Sequence, residues 1–224
     1  SAGRTARIAR RSGCCRYHLR EKQYMNERHL PYRDSDFIRA RVPMTKRGIR
    51  ILTTGLLGIE PADTVVDIGA GTGGLTIEAA RQVPKGRVYA VEHNEEACDL
   101  IEQNVRKFGA DNVRLIRGHA PDALWPVKSC DRIIVGGSGH ELEGIFKWAA
   151  AHLKPGGRIA ANFVTIENAA ECVRLMNEYF DEPELIQAGI SEGTTTGGLT
   201  LLKAQNPVFI VTGLQPLPEP DIDC

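Results

Sequence analysis

The sequence has no surplus charge of either sign, no apolar run long enough to cross a bilayer and no paired-cysteine motif. Its 28 Lys and Arg balance 28 Asp and Glu, which argues against broad electrostatic capture of nucleic acid or an anionic membrane and leaves recognition to a localised site. Nothing approaches the roughly 20 consecutive apolar residues of a membrane span. The basic N-terminus is not followed by the apolar core of a signal peptide, so a cytoplasmic protein is expected. Cys14, Cys15, Cys98, Cys130, Cys172 and Cys224 are scattered, without C-x-x-C spacing or nearby paired histidines. That pattern indicates neither a zinc site nor a secreted disulfide framework, and no metal is expected. Cys98 and Cys172 fall on apolar faces of helical segments and read as small buried hydrophobes, not as nucleophiles. No internal repeat is visible.

What remains is an ordinary globular composition, 224 residues with 42% hydrophobic and 25% charged, enough for one large domain with appendages. Residues 1–30 hold Arg4, Arg7, Arg10, Arg11, Arg16, Arg20, Lys22 and Arg28 against Glu21 and Glu27, with no apolar periodicity. They read as a basic, disordered extension. Met25-Asn26-Glu27-Arg28 has the look of a native start, which makes the residues before it an upstream extension. Residues 31–215 are expected to form the domain and residues 216–224, rich in Pro and Asp, a frayed tail.

Inside the domain an apolar helical segment over residues 45–57 precedes a regular alternation. Short β-rich runs at residues 64–68, 87–91, 113–116, 132–135 and 158–163 are each followed by a helical pattern, the signature of a doubly wound, mostly parallel α/β sheet. Asn94 caps the second of these helices, whose first turn holds Glu95 and Glu96, and Gly109 ends it. The fourth ends at Leu153 before Lys154-Pro155-Gly156-Gly157. A later helix buries Ala169, Cys172, Val173, Met176 and Phe180, with Asn168 or Thr165 at its cap. Residues 185–190, a Gly/Thr-rich stretch at 193–198 and a strand at 207–212 read as an antiparallel hairpin closing the sheet.

The first strand runs into Val66-Asp67-Ile68-Gly69-Ala70-Gly71-Thr72-Gly73-Gly74. Gly69 and Gly71 allow a sharp turn and close approach of a ligand, and the helix that follows offers unpaired N–H groups. Gly69, Gly71 and Gly74 also satisfy G-x-G-x-x-G, so spacing alone would permit NAD. Asp67 favours another choice, because a carboxylate beside the loop repels a pyrophosphate and attracts the ammonium and sulfonium of S-adenosyl-L-methionine (AdoMet). Glu92 ends the second strand, where its carboxylate can accept both ribose hydroxyl hydrogens of either nucleotide. Gly118-His119-Ala120-Pro121 ends the third strand, at the place of an adenine.

These segments together resemble one family, the decarboxylating precorrin methyltransferases of cobalamin biosynthesis, within the class I AdoMet-dependent methyltransferases. The resemblance spans nearly all of residues 31–213. It rests on Val42-Pro43-Met44-Thr45-Lys46, the loop from Asp67 to Gly73, Gly118-x-Ala120-Pro121, Gly136-Gly137-Ser138-Gly139, Leu153-Lys154-Pro155-Gly156-Gly157, and Gly197-Gly198-Leu199-Thr200 ahead of Asn206-Pro207. It implies a seven-stranded Rossmann-like sheet and an enzyme that methylates carbon-15 of precorrin-6B or its cobalt form while the ring C acetate loses its carboxyl. Methylation of carbon-5 is then left to a separate partner, and the chain to a homo-oligomer, a tetramer in this family. By the same carry-over Gly69, Ala70, Gly71, Thr72 and Gly73 would hold the methionine part of AdoMet, Glu92 the ribose and Ala120 the adenine, with Thr45 capping the site. His119 departs from the acidic residue common in the family.

A substrate rich in carboxylates needs cations, and Arg39, Arg41, Lys46 and Arg47 are available. Of these Arg41 and Lys46 are the substrate-binding candidates, with Gly137, Ser138 and Gly139 beneath the ring. No catalytic acid or base is nominated, since a methyl sulfonium is already electrophilic and a conjugated macrocycle can absorb the electrons released by decarboxylation. The alternative on the same fold is a methyltransferase acting on tRNA or a protein side chain. The basic extension is the only feature that favours RNA.

Overall fold

The computed structural model describes residues 30–137 and 141–218. The chain divides into two units, Ser1–Tyr32 and Arg33–Cys224, and the fold and the site belong to the second. After a one-turn 3-10 helix at Asp34–Asp36 come α1 (Arg47–Leu57), β1 (Thr64–Ile68), α2 (Gly74–Gln82), β2 (Arg87–Glu92), α3 (Glu95–Phe108), β3 (Val113–Arg117) and β4 (Cys130–Val135). The chain continues through α4 (Leu142–His152), β5 (Leu153–Phe163), α5 (Ile166–Tyr179), β6 (Asp181–Ala188), β7 (Ser191–Thr196), β8 (Leu199–Ala204) and β9 (Val208–Leu214).

Seven strands form one sheet in the order β3-β2-β1-β4-β5-β9-β6. The first five are parallel, β9 runs antiparallel to β5, and β6 runs antiparallel to β9. The doubly wound reading therefore holds, and so does the closing antiparallel pair. The connection between that pair is different from the expectation. The Gly/Thr-rich stretch is no simple link: β7 and β8 form a separate antiparallel ribbon turning at Gly197 and Gly198, whose φ values of 60° and 78° suit a tight hairpin turn. Two boundaries also shift. Helix α4 ends at His152, and β5 begins at Leu153, since Leu153 pairs with Cys130 before a register shift leads to Arg158 opposite Arg132.

Strands β1, β4 and β5 bury Val66, Ile68, Ile133, Val135, Ile159 and Ala161 against Phe146 of α4 and Leu175 and Met176 of α5. Their near-continuous apolar character follows from cover on both faces. Caps agree with the sequence: Asn94 accepts from the Ala97 N–H at 2.9 Å, Gly109 closes α3 in the left-handed conformation, and Thr165 caps α5. Cys98, Cys130 and Cys172 are free and buried, and burial pushes the Cys130 and Cys172 thiols up to about 12, which leaves them inert at neutral pH.

The segment ahead of α1 is tied down by a buried cation. Arg50 is fully buried, donates to Asp34 Oδ1 at 2.7 Å and to the Thr45 carbonyl at 2.8 Å, and lies over the Phe37 ring at 4.7 Å. Its Nε lies 3.7 Å from Glu78 of α2. Removing one member of a buried ion network leaves the others uncompensated, so Arg50→Met is expected to lower unfolding free energy by about 3 kcal/mol or more. Urea denaturation checks this, and a loss below about 1 kcal/mol would show that the network is dispensable.

Candidate active site

Strand order reverses between β1 and β4, and at such a switch point the loops leaving the carboxyl ends of the two strands diverge to open a crevice. Here the loops after β1, β2 and β4 converge on it. Gly69 and Ala70 donate to the Val91 carbonyl at 2.9 and 3.2 Å, Gly136 donates to Ile68 at 2.9 Å, and Gly118 donates to Glu92 at 2.9 Å. Gly69 has φ of 70°, and a Cβ there would meet Gly137 O, N and Cα at 2.5, 2.6 and 2.8 Å. The glycine is required for two loops to touch.

These loops floor a cleft of about 1490 Å³. Of the residues singled out in the sequence, the structure brings Arg41, Thr45, Lys46, Gly69, Ala70, Gly71, Thr72, Glu92 and Gly137 to its walls. Gly73 and Ala120 do not line it, and neither does Asp67. Gly73 turns the other way, where an added Cβ would meet Ile101 Cγ1 of α3 at 3.2 Å, and Ala120 packs against the hydrophobic core. Ser138 and Gly139 lie outside the described residues. Arg39 and Arg47 are not among the lining residues.

Glu92 is buried, and its carboxylate accepts from Gly71 N–H through Oε2 and from His93 and Asn94 N–H through Oε1, each at 2.9 Å. It thus shapes the glycine loop as well as facing the cleft. Asp67 is 1% exposed. Thr76 of α2 donates to its Oδ2, whereas Oδ1 is buried with no hydrogen-bond partner, as is Thr72 Oγ1. Burial, reinforced by the nearby Glu92 charge, pushes the Asp67 carboxyl up to about 6 despite the Thr76 hydrogen bond. His119 stacks on His93 at 4.2 Å between ring centroids.

Two positioning residues escaped the sequence reading. Asn104 of α3 is fully buried, accepts from Ile38 N–H at 2.8 Å and donates to the Thr72 carbonyl at 3.0 Å and to the Ile38 carbonyl at 3.1 Å. It joins the N-terminal segment to the glycine loop. Asn162, at the end of β5, lines the cleft and is held by Thr53 of α1. Neither carried a motif; only an amide on an otherwise apolar face could have drawn attention to Asn104.

A mostly parallel sheet with this strand order, a glycine loop after β1 and an acidic end to β2 define a class I methyltransferase fold. The chain belongs to the precorrin methyltransferase family, whose domain model matches residues 37–213. It is 40% identical over 182 residues to a probable cobalt-precorrin-6B C(15)-methyltransferase (decarboxylating) of Pyrobaculum calidifontis, covering 80% of this chain and 93% of that protein. The cobalt-precorrin-6B C(15)-methyltransferase (decarboxylating) of Salmonella typhimurium is 35% identical, again over 80% of this chain and 93% of its own length. Among solved structures, a precorrin-6Y C5,15-methyltransferase from Geobacter metallireducens superposes with a TM-score of 0.79 at 31% identity, covering 83% of this chain and 97% of that one. A tRNA (m1A58) methyltransferase from Aquifex aeolicus shares the fold at 18% identity and a TM-score of 0.69, over 81% of this chain and 73% of that one. No helix among the described residues is long and apolar enough to cross a membrane.

Proposed function

We propose that the chain methylates carbon-15 of precorrin-6B or cobalt-precorrin-6B with AdoMet, while the ring C acetate side chain loses its carboxyl as carbon dioxide. The observation that carries this reading is one cleft of about 1490 Å³ that joins the glycine loop to Arg41 and Lys46. That is room for a cofactor and a large polyanionic ring, with cations at hand for its carboxylates.

The residues present suit AdoMet. Asp67 Oδ1 and Thr72 Oγ1 are buried acceptors without partners beside the loop, and a buried carboxylate gains by facing a cationic ligand. Gly69, Ala70, Gly71 and Thr72 hold the methionine part, Glu92 the ribose, and Thr45 covers the site. Gly73 contributes loop geometry. AdoMet supplies an electrophilic methyl group on a sulfonium sulfur. The chain's own part is positioning: Arg41 and Lys46 grip peripheral carboxylates, Phe163 and Leu142 present apolar surface to the ring, and Gly137 permits close approach from below. The electron pair released as carbon dioxide leaves passes into the conjugated ring and the side-chain carbon takes up one proton from solvent to end as a methyl group, so no protein base is needed for that step.

Residues 31–215 are the catalytic domain in this reading, flanked by extensions at 1–30 and 216–224. Carbon-5 methylation belongs to a separate partner. The chain assembles with further copies of itself, as the family's tetramer implies, through the outer face of the β7–β8 ribbon, where Leu202 is 77% exposed.

Incubation of the protein with AdoMet and precorrin-6B, with and without cobalt, tests the reading by product mass and released carbon dioxide. One methyl gained and one carboxyl lost is the expected result. AdoMet binding without change in either corrinoid would overturn the substrate assignment.

A further inference from the structure

The β7–β8 ribbon stands apart from the sheet, and every residue of both strands is exposed. An isolated two-stranded ribbon is marginal in water, so its persistence calls for something it contacts. It is rooted beside the start of α1: Gln205 N–H donates to the Ile190 carbonyl at 2.9 Å. Ile190 in turn presses on Gly48 so closely that a Cβ there would lie 2.4 Å from its Cδ1. Gly48 follows Lys46 by two positions, so the root of the ribbon lies beside Lys46 at the cleft.

Side chains alternate along a strand. The register sets Glu192 opposite Lys203 and Thr194 opposite Leu201, and Glu192, Thr194 and Lys203 all line the cleft. Leu201 therefore shares their face, while Leu202 and Thr200 point the other way. Among the described residues Lys203 makes no ion pair or hydrogen bond. Lys46, by contrast, lies 3.9 Å from Asp34. An unpaired ammonium at a cleft wall, with a leucine one step outward on the same face, suits a ring whose surface is apolar and whose edge bears carboxylates.

We infer that the cleft-facing side of the ribbon anchors the substrate, with Lys203 binding a peripheral carboxylate of the macrocycle and Leu201 carrying the adjoining ring edge. Glu192, directly opposite on the same face, disfavours a second carboxylate beside it. Lys203 is thus a specificity-determining residue that the glycine-loop motifs do not contain. The inference rests on the corrinoid reading proposed above, and its test separates the two.

The full chain and its Lys203→Gln and Lys203→Arg variants are compared in three measurements: steady-state methylation of cobalt-precorrin-6B, calorimetric AdoMet binding, and fluorescence titration with uroporphyrin, an eight-carboxylate macrocycle that needs no turnover. Loss of one charge-assisted hydrogen bond predicts that Lys203→Gln raises both KM and the uroporphyrin Kd about tenfold. The AdoMet Kd and kcat change less than about twofold, and Lys203→Arg keeps tight binding because it keeps the charge. Unchanged KM and uroporphyrin affinity in Lys203→Gln overturn the inference, as does an AdoMet Kd that rises in step with them. A wild-type chain that methylates no corrinoid sinks the proposed function alone, because the uroporphyrin comparison still decides the role of Lys203.

Discussion

Asp67→Asn is expected to raise the Tm of the ligand-free protein at pH 7.5 while weakening AdoMet binding. The carboxyl is 1% exposed, and its burial pushes the pKa from 3.8 to about 6. A raised folded-state pKa means that the folded chain holds a proton that the unfolded chain has already released. Asp67's contribution to stability is therefore fully present below about pH 4 and is lost as pH rises through about 6. At pH 7.5 the native state carries a buried charge at a cost of up to about 3 kcal/mol. The amide removes that cost, and a gain of this order would lift the Tm of a domain this size by roughly 4 °C or more. AdoMet reverses the balance, because its cations favour the ionised carboxylate. Affinity of the wild type should accordingly increase as pH rises from 5 to 7, with proton release on binding near pH 6, and Asp67→Asn should bind about tenfold more weakly with a flat pH profile. Calorimetry in two buffers of different ionisation enthalpy reads both quantities. A lowered Tm together with unaltered, pH-independent affinity would remove Asp67 from the cofactor site.

The second large effect is expected from Gly69→Ala. The methyl would arrive 2.5–2.8 Å from the Gly137 backbone at a residue with φ of 70°, and backbone on both sides leaves no flexible end to give way. The loop after β1 or the loop after β4 must move. Overpacking and the left-handed conformation together should lower stability by about 1–3 kcal/mol. Displacing the cofactor loop relative to the cleft floor should lower kcat/KM by about 100-fold. Gly137→Ala is the informative partner, since its Cβ would lie 3.9 Å from Gly69 Cα, an ordinary contact. It should leave stability within about 0.5 kcal/mol of wild type. Equal damage from both substitutions would mean that the Gly69–Gly137 approach is not what makes the first one costly.

Much of this molecule is local in origin. Runs such as Thr64–Ile68 and Arg87–Glu92 are strands because β-branched and apolar residues lie between polar turns, and Asn94 and Gly109 bound α3 through their own backbone preferences. The glycine loop and Glu92 could be assigned for the same reason: a strand end followed by glycines leaves few conformations open, and a doubly wound sheet delivers such ends to one edge.

Features that join distant segments had no local signature. The Gly197-Gly198 turn was present in the sequence, but whether the flanking residues extend the main sheet or pair with each other depends on β9 taking the place beside β5. Arg50 reads as one basic residue among several until Asp34, Thr45 and Glu78 surround it. Gly73 belongs to the cofactor motif by spacing, yet the packing of α3 through Ile101 turns it out of the cleft.

The sequence by itself determined the alternating α/β architecture and the glycine loop, because each depends on hydrophobic periodicity and backbone preference over a few neighbouring residues, while the family showed only through the resemblance of its motifs. Only the tertiary structure decided which cations reach the cleft, how Asp67 comes to be buried with one oxygen unpartnered, and where the ribbon stands. Those are long-range matters, settled by which surfaces exclude water when the whole chain has packed.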